Sequence, residues 1–186
     1  MVQKDSNNIS LEIILNILKK AENHARNIAK DLNISHTTIL RKTKELVDEN
    51  VLDYKKQGKN KVFFLKKTLK AKNYVFMAEN YKTNKVLREY PPLGVIMKDV
   101  INNAEADLII LFGSYAKFNA KKSSDIDLFI ETRHNRLKEK LKHIDNRISL
   151  KTGRFDQSNN LIKEIIKNHA LIKGIEIFYE KTKFFE

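Results

Sequence analysis

Apolar residues recur along the first third of the chain at the spacing of helices. Leu11, Ile14, Leu15, Leu18 and Ala21 of LEIILNILKKA stand three or four apart, which predicts a helix with Ser10 as its N-cap. In HARNIAKDL a second stripe runs through Ala25, Ile28, Ala29 and Leu32, and Asn33 suits the sharp reversal that ends it. Ser35 then caps a third helix, SHTTILRKTKELVDEN, with Ile39, Leu40, Thr43, Leu46 and Val47 as the expected inner face. The period changes in VLDYKKQGKNKVFFLKK, which reads as a strand, a turn at Gln57-Gly58-Lys59-Asn60 and a second strand from Lys61 to Leu65. Leu69, Tyr74, Val75, Met77, Ala78, Tyr81 and Leu87 form a looser helical pattern. Tyr90-Pro91-Pro92 stops it, since each proline disfavours helical geometry at the residue before it.

The second half begins with a helix, LGVIMKDVINNAEA, whose apolar face is Leu93, Ile96, Met97, Val100, Ile101 and Ala104. The run Asp107-Leu108-Ile109-Ile110-Leu111-Phe112 is almost continuously apolar, as expected of a strand buried on both faces. It ends at Gly113-Ser114, where the missing Cβ lets the backbone approach a ligand and the serine adds a hydroxyl. Amides at the head of a following helical turn would favour anionic oxygens. SDIDLFI then alternates with period two, so Asp125 and Asp127 share one strand face and Ile126, Leu128 and Ile130 the other. Two carboxylates side by side repel each other. A divalent cation relieves that repulsion, and Mg²⁺ takes one or two carboxylates plus phosphate oxygens. A helix over 134–145 with Leu137, Leu141 and Ile144 inward, and a strand RISLK from Arg147 to Lys151, complete the expected elements.

Charge and composition narrow the partners. The net charge is +13, and it is concentrated: residues 1–50 hold 8 Lys and Arg against 7 Asp and Glu, residues 51–90 hold 11 against 3, and residues 91–186 hold 17 against 13. A basic middle suits a polyanion, whose condensed counterions are released on binding, or it is simply a solvated lysine-rich surface. With no cysteine there is no disulfide framework and no thiolate zinc site. The five histidines (24, 36, 134, 143 and 169) are too scattered to read as a metal cluster. No signal-type apolar run precedes Leu11 and no stretch approaches the roughly 18 apolar residues of a membrane helix, so a cytoplasmic chain without a membrane partner is expected.

From Ser10 to about Lys67, three helices followed by a strand-turn-strand resemble the winged helix-turn-helix domains of prokaryotic transcription regulators. The resemblance implies a third helix that enters the major groove of DNA. His36, Thr37, Thr38, Arg41 and Lys42 then become the candidates for groove contacts, with Lys44 near the backbone and Lys55, Lys56, Lys59 and Lys61 of the wing meeting phosphate. The other reading is a winged helix used for protein contacts. By the same analogy the chain would read two half-sites as a homodimer.

From about Leu93 onward the chain resembles the polymerase-beta-type nucleotidyltransferases, in particular their minimal branch. The resemblance rests on Gly113-Ser114-Tyr115-Ala116, a loop, and Ser124-Asp125-Ile126-Asp127-Leu128. It implies an α+β chain divided into 1–67 (winged helix), 68–92 (connecting helix) and 93–186 (a transferase domain with a mixed sheet and helices). It further implies nucleotide binding at Gly113 and Ser114, catalytic and Mg²⁺-binding roles for Asp125 and Asp127, an NTP such as ATP as donor, and a hydroxyl acceptor on a protein, a nucleic acid or a small molecule. Two departures stand out. The family usually has glycine where this chain has Phe118, so the loop must run differently or the ring must cover something. Active members also carry a third carboxylate on a later strand, and RISLK holds none; Asp156 and Glu176 are the acids left to consider. An enzyme and a transcription regulator with an inactive, nucleotide-binding domain both remain open on these grounds.

Overall fold

The computed structural model describes residues 6–132 and 137–186, so His134 and the first residues of the helix expected over 134–145 lie outside the described residues. The chain divides into two compact units, Met1–Ala78 with Phe185–Glu186, and Glu79–Phe184. The division falls inside a helix rather than in a loop.

In the first unit, α1 (Ser6–Lys20) is followed by a short strand β1 (Glu22–His24), then α2 (Ala25–Leu32) and α3 (His36–Asp48). The hairpin β2 (Leu52–Gln57) and β3 (Asn60–Leu65) leads into α4 (Leu69–Glu89), a 21-residue helix. Asn33 closes α2 in the left-handed conformation at φ 51°, and the Ser35 hydroxyl accepts the Thr38 amide to start α3, so the short link between them is fixed at both ends by its own side chains. The sheet has three strands in the order β1-β3-β2, all antiparallel. The sequence pattern foretold only the hairpin; β1 adds Glu22, Asn23 and His24 opposite Phe64, Phe63 and Val62. The buried row of α1 is Ile13, Ile14 and Ile17 rather than the expected stripe through Leu11, Leu15 and Leu18, and it joins Ile28, Ile39, Leu46, Val62 and Val75 in the core. Ala21 lies beyond α1 at φ 65°.

In the second unit, α5 (Pro92–Ala104) precedes β4 (Ile109–Leu111), the short turn of helix α6 (Gly113–Ala116) and β5 (Ile126–Ile130). Then come α7 (Leu137–Lys142), β6 (Ile148–Thr152), α8 (Asn160–Lys167), β7 (Ala170–Lys173) and α9 (Ile175–Lys181). The sheet order is β6-β5-β4-β7. It is mixed: β5 and β6 are parallel, whereas β4 runs antiparallel to both β5 and β7. Leu108 to Phe112 are buried throughout, as a strand with neighbours on both edges and cover on both faces requires. Leu93, Ile96, Met97, Val100 and Ala104 of α5 pack on the sheet residues Ile109, Leu111, Ile126 and Leu128, while Ile101 stands at the surface.

One polar cluster is buried in this unit. Glu79 of α4 accepts the Tyr179 hydroxyl at 2.8 Å and faces His169 Nε2 at 3.3 Å, and His169 Nδ1 lies 2.9 Å from the Ile165 carbonyl. Each ring nitrogen of His169 thus faces an oxygen. Burial pushes the Glu79 carboxyl up, but the His169 charge and hydrogen bond, with Lys82 and Tyr179, outweigh it and hold the group at about 2.

Candidate functional site

The second unit places its Gly-Ser turn against Asp127. Tertiary packing fixes this, because β4 and β5 are neighbours and the Phe112 amide donates to the Asp127 carbonyl at 2.9 Å. Gly113 then adopts φ 68°, a conformation that side chains with a Cβ rarely take. A Cβ at that position would stand 2.1 Å from Asp127 Oδ2, so the missing side chain is what admits the carboxylate. Ser114 is half-buried in the same turn.

Asp127 is half-buried and Asp125, just ahead of β5, is exposed. Burial pushes the Asp127 carboxyl above its ordinary range; the Ser149 hydroxyl that donates to it and the charge of Lys151 pull it down, and the Asp125 charge pushes it further up. The pair therefore carries negative charge that its surroundings do not fully balance. Two such carboxylates on one strand face could hold a divalent cation such as Mg²⁺, which prefers few protein ligands and keeps the rest for phosphate and water.

The strand where the resemblance expects a third carboxylate is β6. It pairs in parallel with β5, and its register sets Ser149 opposite Asp127 and Lys151 opposite Phe129. Ser149 and Lys151 thus share the face of Asp127. Neither Asp156 nor Glu176 substitutes: among the described residues no group of three or more Asp, Glu or His side chains could hold a metal. Asp156 instead accepts the Ser158 amide at 2.9 Å, and Glu176 lies in the first turn of α9. Beside Asp125, an open cleft of about 270 Å³ is lined by Lys138, Lys142, Arg147, Ser149 and Lys151. These residues were not singled out as a site in the sequence, because the β5–β6 register aligns Ser149 and Lys151 while the packing of α7 brings Lys138 and Lys142.

The loop between α6 and β5 resolves the question raised by Phe118. Its backbone takes φ 59°, the left-handed conformation that glycine adopts at little cost and other residues at roughly 1–2 kcal/mol. The ring is 40 % exposed and has the Lys85 ammonium 5.6 Å from its centroid. The rest of the loop is held by the Tyr90 hydroxyl, which accepts the Ala120 amide, and by Ser124, which accepts the Lys121 amide.

In the first unit His36, Thr37, Arg41 and Lys44 are exposed on α3, and Thr38, whose hydroxyl meets Ser35, is half-buried. Lys42 departs from the expectation: its side chain is only 7 % exposed and its ammonium lies 2.6 Å from Glu45 Oε2, so it faces inward. Arg41 shares the same carboxylate at 2.7 Å. On the hairpin, Lys55, Lys56, Lys59 and Lys61 are all exposed. Lys55 is paired with Glu22, and Lys61 lies 3.9 Å above the Tyr54 ring. Lys56 and Lys61 oppose each other across β2 and β3, a like-charge pair that an anion would relieve. A groove of about 410 Å³ runs between His24, Arg26, His36, Leu40, Lys59 and Lys61, and among the described residues no carboxylate lines it. His24 was missed in the sequence because β1, which carries it, was missed; Arg26 lies in the first turn of α2.

Neither a curated protein nor a solved structure gives a significant match to the chain. A family model does: residues 96–182, from within α5 to the residue that caps α9, match Polymerase beta, Nucleotidyltransferase, which supports placing this part of the chain in the nucleotidyltransferase superfamily.

Proposed function

We propose that the chain is a Mg²⁺-dependent nucleotidyltransferase that moves a nucleoside monophosphate from an NTP such as ATP to a hydroxyl acceptor. The observation that carries this reading is the seating of Asp127 on the bare backbone of Gly113, with Asp125 two residues away and the Gly-Ser turn below. Gly113 and Ser114 bind the phosphate chain through backbone and hydroxyl. Asp125 and Asp127 would hold Mg²⁺, which when bound offsets the charge on the phosphate oxygens. The acceptor hydroxyl gives up its proton and its oxygen forms a bond to the α-phosphorus as the bond to pyrophosphate breaks, and the cations of the cleft beside Asp125 would attract the phosphates.

The first unit is a winged helix that tethers this activity to DNA. Its exposed α3 residues and hairpin lysines, beside a groove lined by His24, Arg26, His36, Lys59 and Lys61, support that reading. A second reading, a transcription regulator whose transferase-like domain binds nucleotide without chemistry, is favoured by Ser149 and Lys151 on the strand that would carry the third carboxylate.

Calorimetry tests the site: NTP should bind in the presence of Mg²⁺ and not in its absence, and the Asp125→Asn, Asp127→Asn double variant should fail to bind. Equal binding by the double variant would refute the site. Transfer of label from an α-³²P NTP to an acceptor then separates enzyme from regulator.

A further inference from the structure

The β6 face supplies a cation where a carboxylate is missing. Lys151 and Ser149 stand two residues apart on the strand that pairs with β5, and both line the open cleft beside Asp125. Ser149 is committed to Asp127 as a donor. Lys151 is exposed, none of the ion pairs within 4 Å among the described residues involves it, and its charge already acts on Asp127. The other cations of the cleft differ in this respect. Arg147 is spent on Asp145 through two bonds of 3.0 and 2.7 Å, whereas Lys138 and Lys142 line the cleft from α7 rather than from the strand paired with β5.

We propose that this site takes a single divalent cation with its nucleotide, and that Lys151 supplies the second positive centre against the phosphates. The inference rests on the nucleotidyltransferase reading and adds the composition of the bound complex to it. Two-metal phosphoryl-transfer sites need carboxylates enough to bridge two ions. Here two carboxylates are at hand, and among the described residues no group of three acids or histidines is gathered anywhere. The charge balance closes without a second ion. Two carboxylates, one divalent cation and one ammonium leave one net positive charge, as do three carboxylates and two divalent cations. An ammonium can bind and position phosphate oxygens as a point charge, although it cannot bridge two of them with fixed geometry as a metal does. Lys151 is therefore a ligand-binding and positioning residue, and Ser149 keeps the Asp127 carboxylate oriented toward the shared cation.

Mn²⁺ stoichiometry, read by electron paramagnetic resonance on the full chain with the α,β-methylene analogue of ATP, tests this directly. The wild type is expected to hold one Mn²⁺ per bound nucleotide. Lys151→Met should keep that stoichiometry and weaken the nucleotide about tenfold, the scale of a lost charged hydrogen bond. Lys151→Glu should gain a second Mn²⁺. Because Lys151 is exposed, both variants should fold, and a thermal melt checks it. Two Mn²⁺ ions on the wild type, or unchanged nucleotide affinity in Lys151→Met, would overturn the inference while leaving the proposed function standing. Nucleotide binding that survives the Asp125→Asn, Asp127→Asn double variant would overturn the proposed function, and this inference with it.

Discussion

Replacing Gly113 by alanine should disable the proposed nucleotide site through one methyl group. The new Cβ would lie 2.1 Å from Asp127 Oδ2, 3.0 Å from its Cγ and 3.2 Å from its Cβ, while ordinary contact begins near 3.4 Å. The carboxylate would have to retreat by about 1.3 Å, the difference between 3.4 and 2.1 Å. It has little room to do so. The Asp127 backbone is tied to Phe112 at 2.9 Å, and its side chain is engaged by Ser149. A displacement of about 1 Å in a positioned group can cost on the order of a hundredfold in function. The backbone adds its own penalty, because φ 68° costs an L-residue roughly 1–2 kcal/mol. Gly58→Ala separates the two effects: it shares the left-handed backbone at φ 59° but has nothing within 4 Å of its added Cβ. Both variants should melt earlier than the wild type, and Gly113→Ala alone should lose Mg²⁺-nucleotide affinity by about two orders of magnitude in calorimetry. A Gly113→Ala protein that binds within twofold of the wild type, while Asp127→Asn does not bind, would refute the claim that the bare backbone is what seats the carboxylate.

The buried cluster of the second unit makes stability depend on pH. Because the Glu79 carboxyl is held at about 2, below its ordinary 4.5, its contribution is complete above pH 4.5 and is lost as the pH falls toward 2. Glu79→Gln leaves His169 facing an uncharged partner and should cost about 3 kcal/mol at pH 6, with a smaller further loss than the wild type between pH 6 and 2.5; urea midpoints at those two pH values check both. On the first unit, Lys56→Ala and Lys59→Ala should each flatten the salt dependence of DNA affinity by roughly 0.9 in log–log slope if each meets one phosphate, whereas Lys42→Met, inward and paired with Glu45, should leave the slope unchanged. Fluorescence anisotropy over a salt series reads all three, and a slope that drops as much for Lys42→Met as for the hairpin variants would contradict the burial of Lys42.

Elements that carry their own boundaries were legible in the sequence. Ser35 begins α3 and Asn33 ends α2 through bonds within a few residues, and the apolar run before Gly113 marks a strand with cover on both faces. What depended on distant partners was not legible. β1 is three residues long and exists only because β3, some forty positions later, offers an edge to it. LEIIL is apolar around most of the helix, so periodicity could not tell which row faces the core, and packing chose Ile13, Ile14 and Ile17. Lys42 reads as a surface lysine, yet its long stem lies inside while its ammonium reaches Glu45 three positions on.

The same distinction explains why two aspartates could be named from the sequence and their neighbours could not. Asp125 and Asp127 sit two apart in one strand, and period-two alternation alone puts them on one face. Their relation to β6 is a matter of register, and a slip of one residue would turn Ser149 and Lys151 to the opposite face and present Ile148 and Leu150 instead. Register in turn is set by the core. Ile148 and Leu150 are buried in the same cluster as Ile126 and Leu128, so the apolar face locks the strand and leaves Ser149 and Lys151 beside the aspartates. The hydrophobic side of the sheet thus decides the chemistry of the polar side. A search for a third acid along RISLK asks what the strand contains, whereas the site depends on which of its residues the buried face turns toward Asp127.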